Sequence, residues 1–132
     1  MAETFKAFMK RREAAALAYT KGDGAPVDAL TSQQEPVTFF GPDGGATKGS
    51  AAVRKSFNAG AAQFLPEGDG ELEILDMAGD EKIGYWTGIQ HARVKLRGND
   101  KAVSMDLRIT ETFRHEHGEW KLAHRHADML KS

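Results

Sequence analysis

The sequence has no cysteine, only four prolines and no apolar run long enough to cross a bilayer. Without cysteine there is no disulfide, no thiolate nucleophile and no cysteine-ligated metal. Charge of one sign is missing too: 18 basic and 19 acidic residues leave a net charge of −1. Such a balance gives neither the basic footprint of a nucleic-acid binder nor a surface drawn to anionic lipid. The opening stretch Met1–Arg12 puts charge into every turn, so it lacks the apolar centre of a signal peptide. These absences lead us to expect a cytoplasmic protein with no nucleic-acid partner, no membrane partner and no cofactor.

What is present describes an ordinary globular chain. Its 132 residues, 40% hydrophobic and 28% charged, suit one domain over 1–132 with a real core. From Glu3 to Lys21 the apolar residues Phe5, Phe8, Met9, Ala15, Ala16 and Tyr19 recur at helical spacing. Lys6, Lys10, Arg12 and Glu13 are read as the solvent side, and Gly22 and Gly24 as the stop. Pro26 suits the first turn of a short second helix through Val27 and Leu30. Pro36–Gly41 is β-rich, Pro42–Gly45 is a turn, and Ala46–Lys48 is a brief return strand. A third helix follows, with Ser50 as N-cap and Val53, Phe57, Ala61, Phe64 and Leu65 along one stripe.

After Gly70 the period falls from about 3.6 to 2. Four strands are expected over Glu71–Ala78, Lys82–Leu96, Ala102–His115 and Glu119–Ala127. Two of them far exceed the usual strand of about 5–6 residues, which implies a bent sheet wrapped around something. The fold class is therefore α+β: a strongly bent, mixed but mainly antiparallel sheet around three N-terminal helices, enclosing a pocket.

One strand carries a misfit. Met105, Leu107, Ile109, Glu111 and Phe113 form its apolar face, and that face contains a glutamate. In the last strand Trp120, Leu122, His124 and His126 form the corresponding face. A tight turn at His117-Gly118 gives paired numbers summing to 235, which sets Phe113 opposite Leu122, Glu111 opposite His124 and Ile109 opposite His126. A carboxylate beside an imidazole on an apolar face can act as general acid and base, so Glu111 and His124 are the catalytic candidates. A structural ion pair, or a polar patch touching a ligand, explains the same residues.

His115, His117, His124 and His126 beside Glu111 also raise a metal, but two of them sit at the hairpin tip and we expect none. Tyr85, Thr87, Ile89 and His91 share one face of the long strand, while Trp86, Gly88, Gln90 and Ala92 share the other. Both faces are half apolar, which suits one to meet the pocket and the other a partner subunit. The glycine-rich stretch Gly41–Gly45 lacks the Gly-Lys-Ser/Thr that a phosphate cradle requires.

Val37-Thr-Phe-Phe-Gly-Pro42 followed by Lys48-Gly-Ser-Ala-Ala-Val-Arg54 resembles the strand–turn–helix of SnoaL-like proteins in the nuclear transport factor 2-like superfamily. Thr110–Arg114 with Gly118–His126 resembles their last hairpin, and also that of the association domain of calcium/calmodulin-dependent protein kinase II. The resemblance spans essentially the whole chain. It implies a cone with a cavity at its wide end, dimerisation through the sheet, and a small-molecule ligand as partner. It further implies a pocket lined by Phe39, Phe57, Tyr85 and Trp120, with polar contacts from Glu111, His124 and His126. Relatives of this kind include isomerases, cyclases, dehydratases and association modules, so fold alone does not fix activity. The isomerases' catalytic aspartate corresponds here to Gly41, and their buried acid on the penultimate strand to Glu111. Three readings follow: a ligand-binding protein, an isomerase-, cyclase- or dehydratase-like enzyme using Glu111 and His124, and an oligomerisation module with a vestigial pocket.

Overall fold

A computed structural model describes residues 3–131. The elements run α1 (Phe5–Thr20), α2 (Ala25–Leu30), β1 (Thr38–Phe40), β2 (Ala46–Lys48), α3 (Ser50–Ala61), β3 (Asp69–Gly79), β4 (Ile83–Lys95), β5 (Ala102–Glu116) and β6 (Glu119–Met129). Thr4 caps α1, its hydroxyl accepting from the Ala7 N–H at 3.1 Å. At the other end Gly22 takes φ +92°, which lets the N–H groups of Gly22 and Asp23 reach back to the Tyr19 and Ala18 carbonyls. Two expectations for α3 are corrected. The helix ends at Ala61 rather than Leu65, and Ser50 is its first helical residue, not its cap. The Glu35 carboxylate instead accepts from the Ser50 N–H, freeing the Ser50 hydroxyl to donate to the Ser32 carbonyl.

The six strands form one open sheet in the order β2-β1-β6-β5-β4-β3. All neighbours are antiparallel except β1 and β6, which run parallel. The sheet curves over the helices, so each long strand buries one face and shows the other to water. Along β4 the inward residues are Gly84, Trp86, Gly88, Gln90, Ala92 and Val94. Tyr85, Thr87, Ile89 and His91 face outward.

Two bulges bend the sheet. One lies in β3, where Ile74 pairs with Gly88 but Asp76 pairs with Thr87, leaving Leu75 extra. The other lies in β6: Phe113 pairs with Leu122, yet Thr112 pairs with His124, so Ala123 is the extra residue. The expected register is therefore right next to the turn and wrong beyond the bulge. There Glu111 lies opposite Arg125, Thr110 opposite His126 and Ile109 opposite Ala127. An extra residue exchanges the two faces of everything after it, because side chains alternate with period 2. Arg125 and Ala127 turn inward, and His124 and His126 turn outward.

Near the β5–β6 turn, Phe5, Phe8, Phe113 and Trp120 pack ring against ring at 5.1–6.0 Å between centroids. Among the described residues no helix is long and apolar enough to cross a membrane. Phe5 lies flat against Gly84, where a Cβ would stand 2.6 Å from the Phe5 ring. The other aromatics hold that ring in place, so Gly84→Ala is expected to cost about 1–3 kcal/mol by overpacking. Urea unfolding reads this as a lower midpoint at unchanged slope; a wild-type midpoint would mean that the ring moves aside freely.

Candidate functional site

The apolar stripe of α1 is interrupted once. Phe5, Phe8, Met9, Ala15 and Ala16 are buried, and Arg12 between them is buried as well, only 3% exposed. This corrects its assignment to the solvent side. Helical geometry dictates the burial, since 12 continues the i, i+3, i+4, i+7 row that starts at Phe5. A guanidinium so placed requires an acid, and Glu111 supplies it from the inner face of β5. Arg12 Nε and Nη2 donate to the two carboxylate oxygens, each at 2.9 Å.

Two further donors converge on Glu111. Arg125 Nη1 donates to Oε2 at 2.8 Å and Trp86 Nε1 to Oε1 at 2.7 Å. Arg125 Nη2 also donates to the Gln90 side-chain carbonyl at 3.0 Å. Burial alone pushes the Glu111 carboxyl up, but the charges and hydrogen bonds of Arg12 and Arg125 prevail and hold it down at about 2. Glu111 is thus an ionised hub tying α1 to three neighbouring strands.

Beside this hub lies a cavity of about 160 Å³. Val27, Phe39, Phe57, Leu107, Leu122 and Ala127 give it apolar walls, and Arg12, Gln90 and Arg125 form a polar patch in its lining. Tyr19 also lines it, its hydroxyl donating to the Phe57 carbonyl at 2.8 Å. The cavity is drawn from all three helices and from β1, β4, β5 and β6, which is what a bent sheet closing over helices produces.

The expected site residues are only partly brought together. Phe39 and Phe57 line the cavity, their rings 4.9 Å apart. Glu111 stands behind Arg12 and Arg125 rather than in the wall. His124 is on the outer side of the sheet, its Nδ1 2.7 Å from the Thr38 hydroxyl and its ring edge-on to Phe40. Partial burial, and after it the charge of His126, lowers the His124 pKa. The Glu111–His124 pair therefore does not form. His126 is exposed on that outer side, and Tyr85 donates outward to Asp76 at 2.6 Å. Trp120 is packed near the β5–β6 turn on Phe5, and its Nε1 donates to the Glu3 carbonyl.

Among the described residues no three His, Asp or Glu side chains are disposed to hold a metal. Arg12, Arg125 and Gln90 were not singled out from the sequence. Arg12 was detectable, as a charge centred on an apolar stripe; Arg125 was hidden by the bulge.

Removing the carboxylate leaves the buried Arg12 and the partly buried Arg125 without the acid they share. Glu111→Gln is expected to cost about 3–5 kcal/mol, whereas the triple change of Arg12 and Arg125 to Met with Glu111 to Leu is expected to be near neutral. Chemical denaturation of both variants checks this. The same cluster sets an acid limit. The folded-state carboxyl titrates below its ordinary 4.5, so its contribution is complete above that value and fades as pH falls toward about 2. In the triple variant that part of the acid dependence is expected to vanish.

No curated protein matches this sequence. Solved structures match its shape over nearly their whole length. A protein from Streptomyces avermitilis, provisionally named a dehydratase of the NTF2-like family, superposes with a TM-score of 0.80 at 16% identity, covering 96% of each chain. One from Thiobacillus denitrificans, provisionally named a calcium/calmodulin-dependent protein kinase type II association domain, gives 0.72 at 15% identity, covering 99% of this chain and 98% of that one. A provisionally named ketosteroid isomerase from Parabacteroides distasonis gives 0.67 at 17% identity, with 98% and 90% covered. At such identities the likeness is one of fold. The model of the SnoaL-like domain, by contrast, matches the sequence itself over residues 10–130, and the chain belongs to that family.

Proposed function

We propose that this protein binds a small, partly apolar molecule in its cone cavity. The observation that carries the reading is the cavity itself: apolar walls from seven elements with one polar patch, the pattern of a ligand site rather than of a packing defect. Its volume of about 160 Å³ is comparable to the roughly 150 Å³ apolar cavity that accepts benzene in another protein. One ring, or a short chain, is therefore the size of ligand it suits. Binding is favoured over acid–base catalysis by Glu111 and His124 because the bulge separates those residues. A carboxylate held by two guanidinium groups is also a weak base near neutral pH.

Ala92 stands in the cavity wall and is 8% exposed. Ala92→Leu fills space without disturbing Arg12 or Arg125. It is expected to keep or raise the thermal midpoint, since cavity filling commonly adds about 0.5–2 kcal/mol. It is also expected to abolish the stabilisation that one-ring aromatic compounds give the wild type. Equal ligand-induced shifts in both proteins would remove the cavity as the binding site.

We also infer self-association through the outer face of the sheet. Leu75, pushed out by the β3 bulge, is 65% exposed, and Ile83 is 59% exposed. Leu75 shares a shallow depression with Thr87, Ile89 and Thr110, a half-apolar surface that a second copy could cover. Light scattering coupled to size exclusion is expected to give a dimer mass for the wild type and a monomer mass for Leu75→Arg. A monomeric wild type at tens of micromolar would refute this.

A further inference from the structure

The cavity carries an unbalanced charge. Two guanidinium groups, Arg12 and Arg125, stand in its wall, and among the described residues the one carboxylate that touches them is Glu111. Among the described residues no aspartate or glutamate side chain lines the cavity itself. The cluster is therefore one positive charge in excess, beside walls that are otherwise almost wholly apolar.

The hydrogen-bond inventory shows the same cluster under-satisfied. A guanidinium has five N–H donors. Arg12 spends Nε and Nη2 on Glu111, while its Nη1 is buried without any partner among the described residues. Unpaired charged donors in a low-dielectric setting are costly, and buried polar groups are paired in nearly all folded proteins. The missing negative charge is what a group entering the cavity would supply; Nη1 itself keeps no surface open to that space.

We propose that the cavity's ligand is an anion, a monocarboxylate whose single ring or short chain occupies the apolar walls and whose carboxylate sits against the Arg12–Arg125 end. This deepens the binding assignment above and rests on it. The carboxylate would take a place in the cluster equivalent to that of Glu111, turning an Arg–Glu–Arg triad of net charge +1 into a neutral group of four. The guanidinium planes offer paired donors that suit a carboxylate better than a single carbonyl oxygen. The apolar remainder excludes larger polar acids, whose other groups would be buried without partners.

Benzoate and benzamide separate the charge from the fit, because they share a ring and nearly the same head and differ in charge. Calorimetric titration at neutral pH is expected to show benzoate binding the wild type about tenfold or more tighter than benzamide. Arg125→Met leaves the Arg12–Glu111 pair intact and the cavity end neutral. There benzoate is expected to lose its advantage while benzamide binding stays within about twofold, which also shows that the variant's cavity is folded. If benzamide matches or exceeds benzoate on the wild type, the anion assignment is overturned and the apolar-cavity reading stands. If neither binds, and Ala92→Leu shows no loss with a wider set of one-ring compounds, both fall. An advantage for benzoate that survives in Arg125→Met, and also in Arg12→Met with Glu111→Gln, would locate the anion elsewhere and overturn it as well.

Discussion

A carboxylate with no exposure at all has to be paired, and the pairing of Glu111 organises much of this molecule. Its partners come from α1, β4 and β6, so forming the ion cluster fixes how the first helix lies against the sheet. Apolar packing alone would tolerate small slides of α1, since hydrophobic contact has no direction. A bidentate Arg12–Glu111 contact does not, because two N–H groups must meet two oxygens in one plane. The cluster is a constraint on geometry first; its net contribution to stability is small where its parts compensate one another.

The bulge at Ala123 is what makes that cluster possible. With a regular ladder, His124 would point inward opposite Glu111 and Arg125 would face solvent. One extra residue exchanges them, converting a carboxylate–imidazole face into a carboxylate–guanidinium face. The consequence for chemistry is large. An imidazole neighbour can exchange a proton near neutral pH, whereas guanidinium groups keep the carboxylate ionised throughout that range. A single insertion thus turns the strand from an arrangement suited to proton transfer into one suited to holding charge.

Much of the architecture was legible because periodicity is a strong signal over long segments. The helical stripe of α1, the strand limits near Gly70, Gly79, Gly98 and Gly118, and the inward orientation of Glu111 all follow from patterns of 3.6 and 2. The site was less legible, for two physical reasons. Leu122 and Ala123 are both apolar and both buried, so the sequence around the bulge carries no mark of an inserted residue. Nothing then told Arg125 from an ordinary outward-facing arginine. Arg12 is a different case. It falls in register with Phe5, Phe8, Met9, Ala15 and Ala16, and long charged side chains on an apolar face usually reach outward to water. The exception here depends on Glu111, 99 residues later in the chain, so neither residue's role can be read without the other.

That mutual dependence bears on what the cavity can accept. Glu111 neutralises only one of the two guanidinium groups it touches, and among the described residues the wall supplies no second acid. If the cluster served packing alone, one arginine would suffice to pair Glu111, and the second would add a desolvation penalty without an acceptor of its own charge. A second arginine at the rim of an apolar cavity is explained when a further negative charge arrives from outside. On the proposed anion site the ion cluster would have two tasks that do not compete. Arg12 and Glu111 lock the helix to the sheet, and Arg125, drawn inward by the bulge and steadied by Gln90, brings the surplus charge to the edge of the space where a ligand would lie.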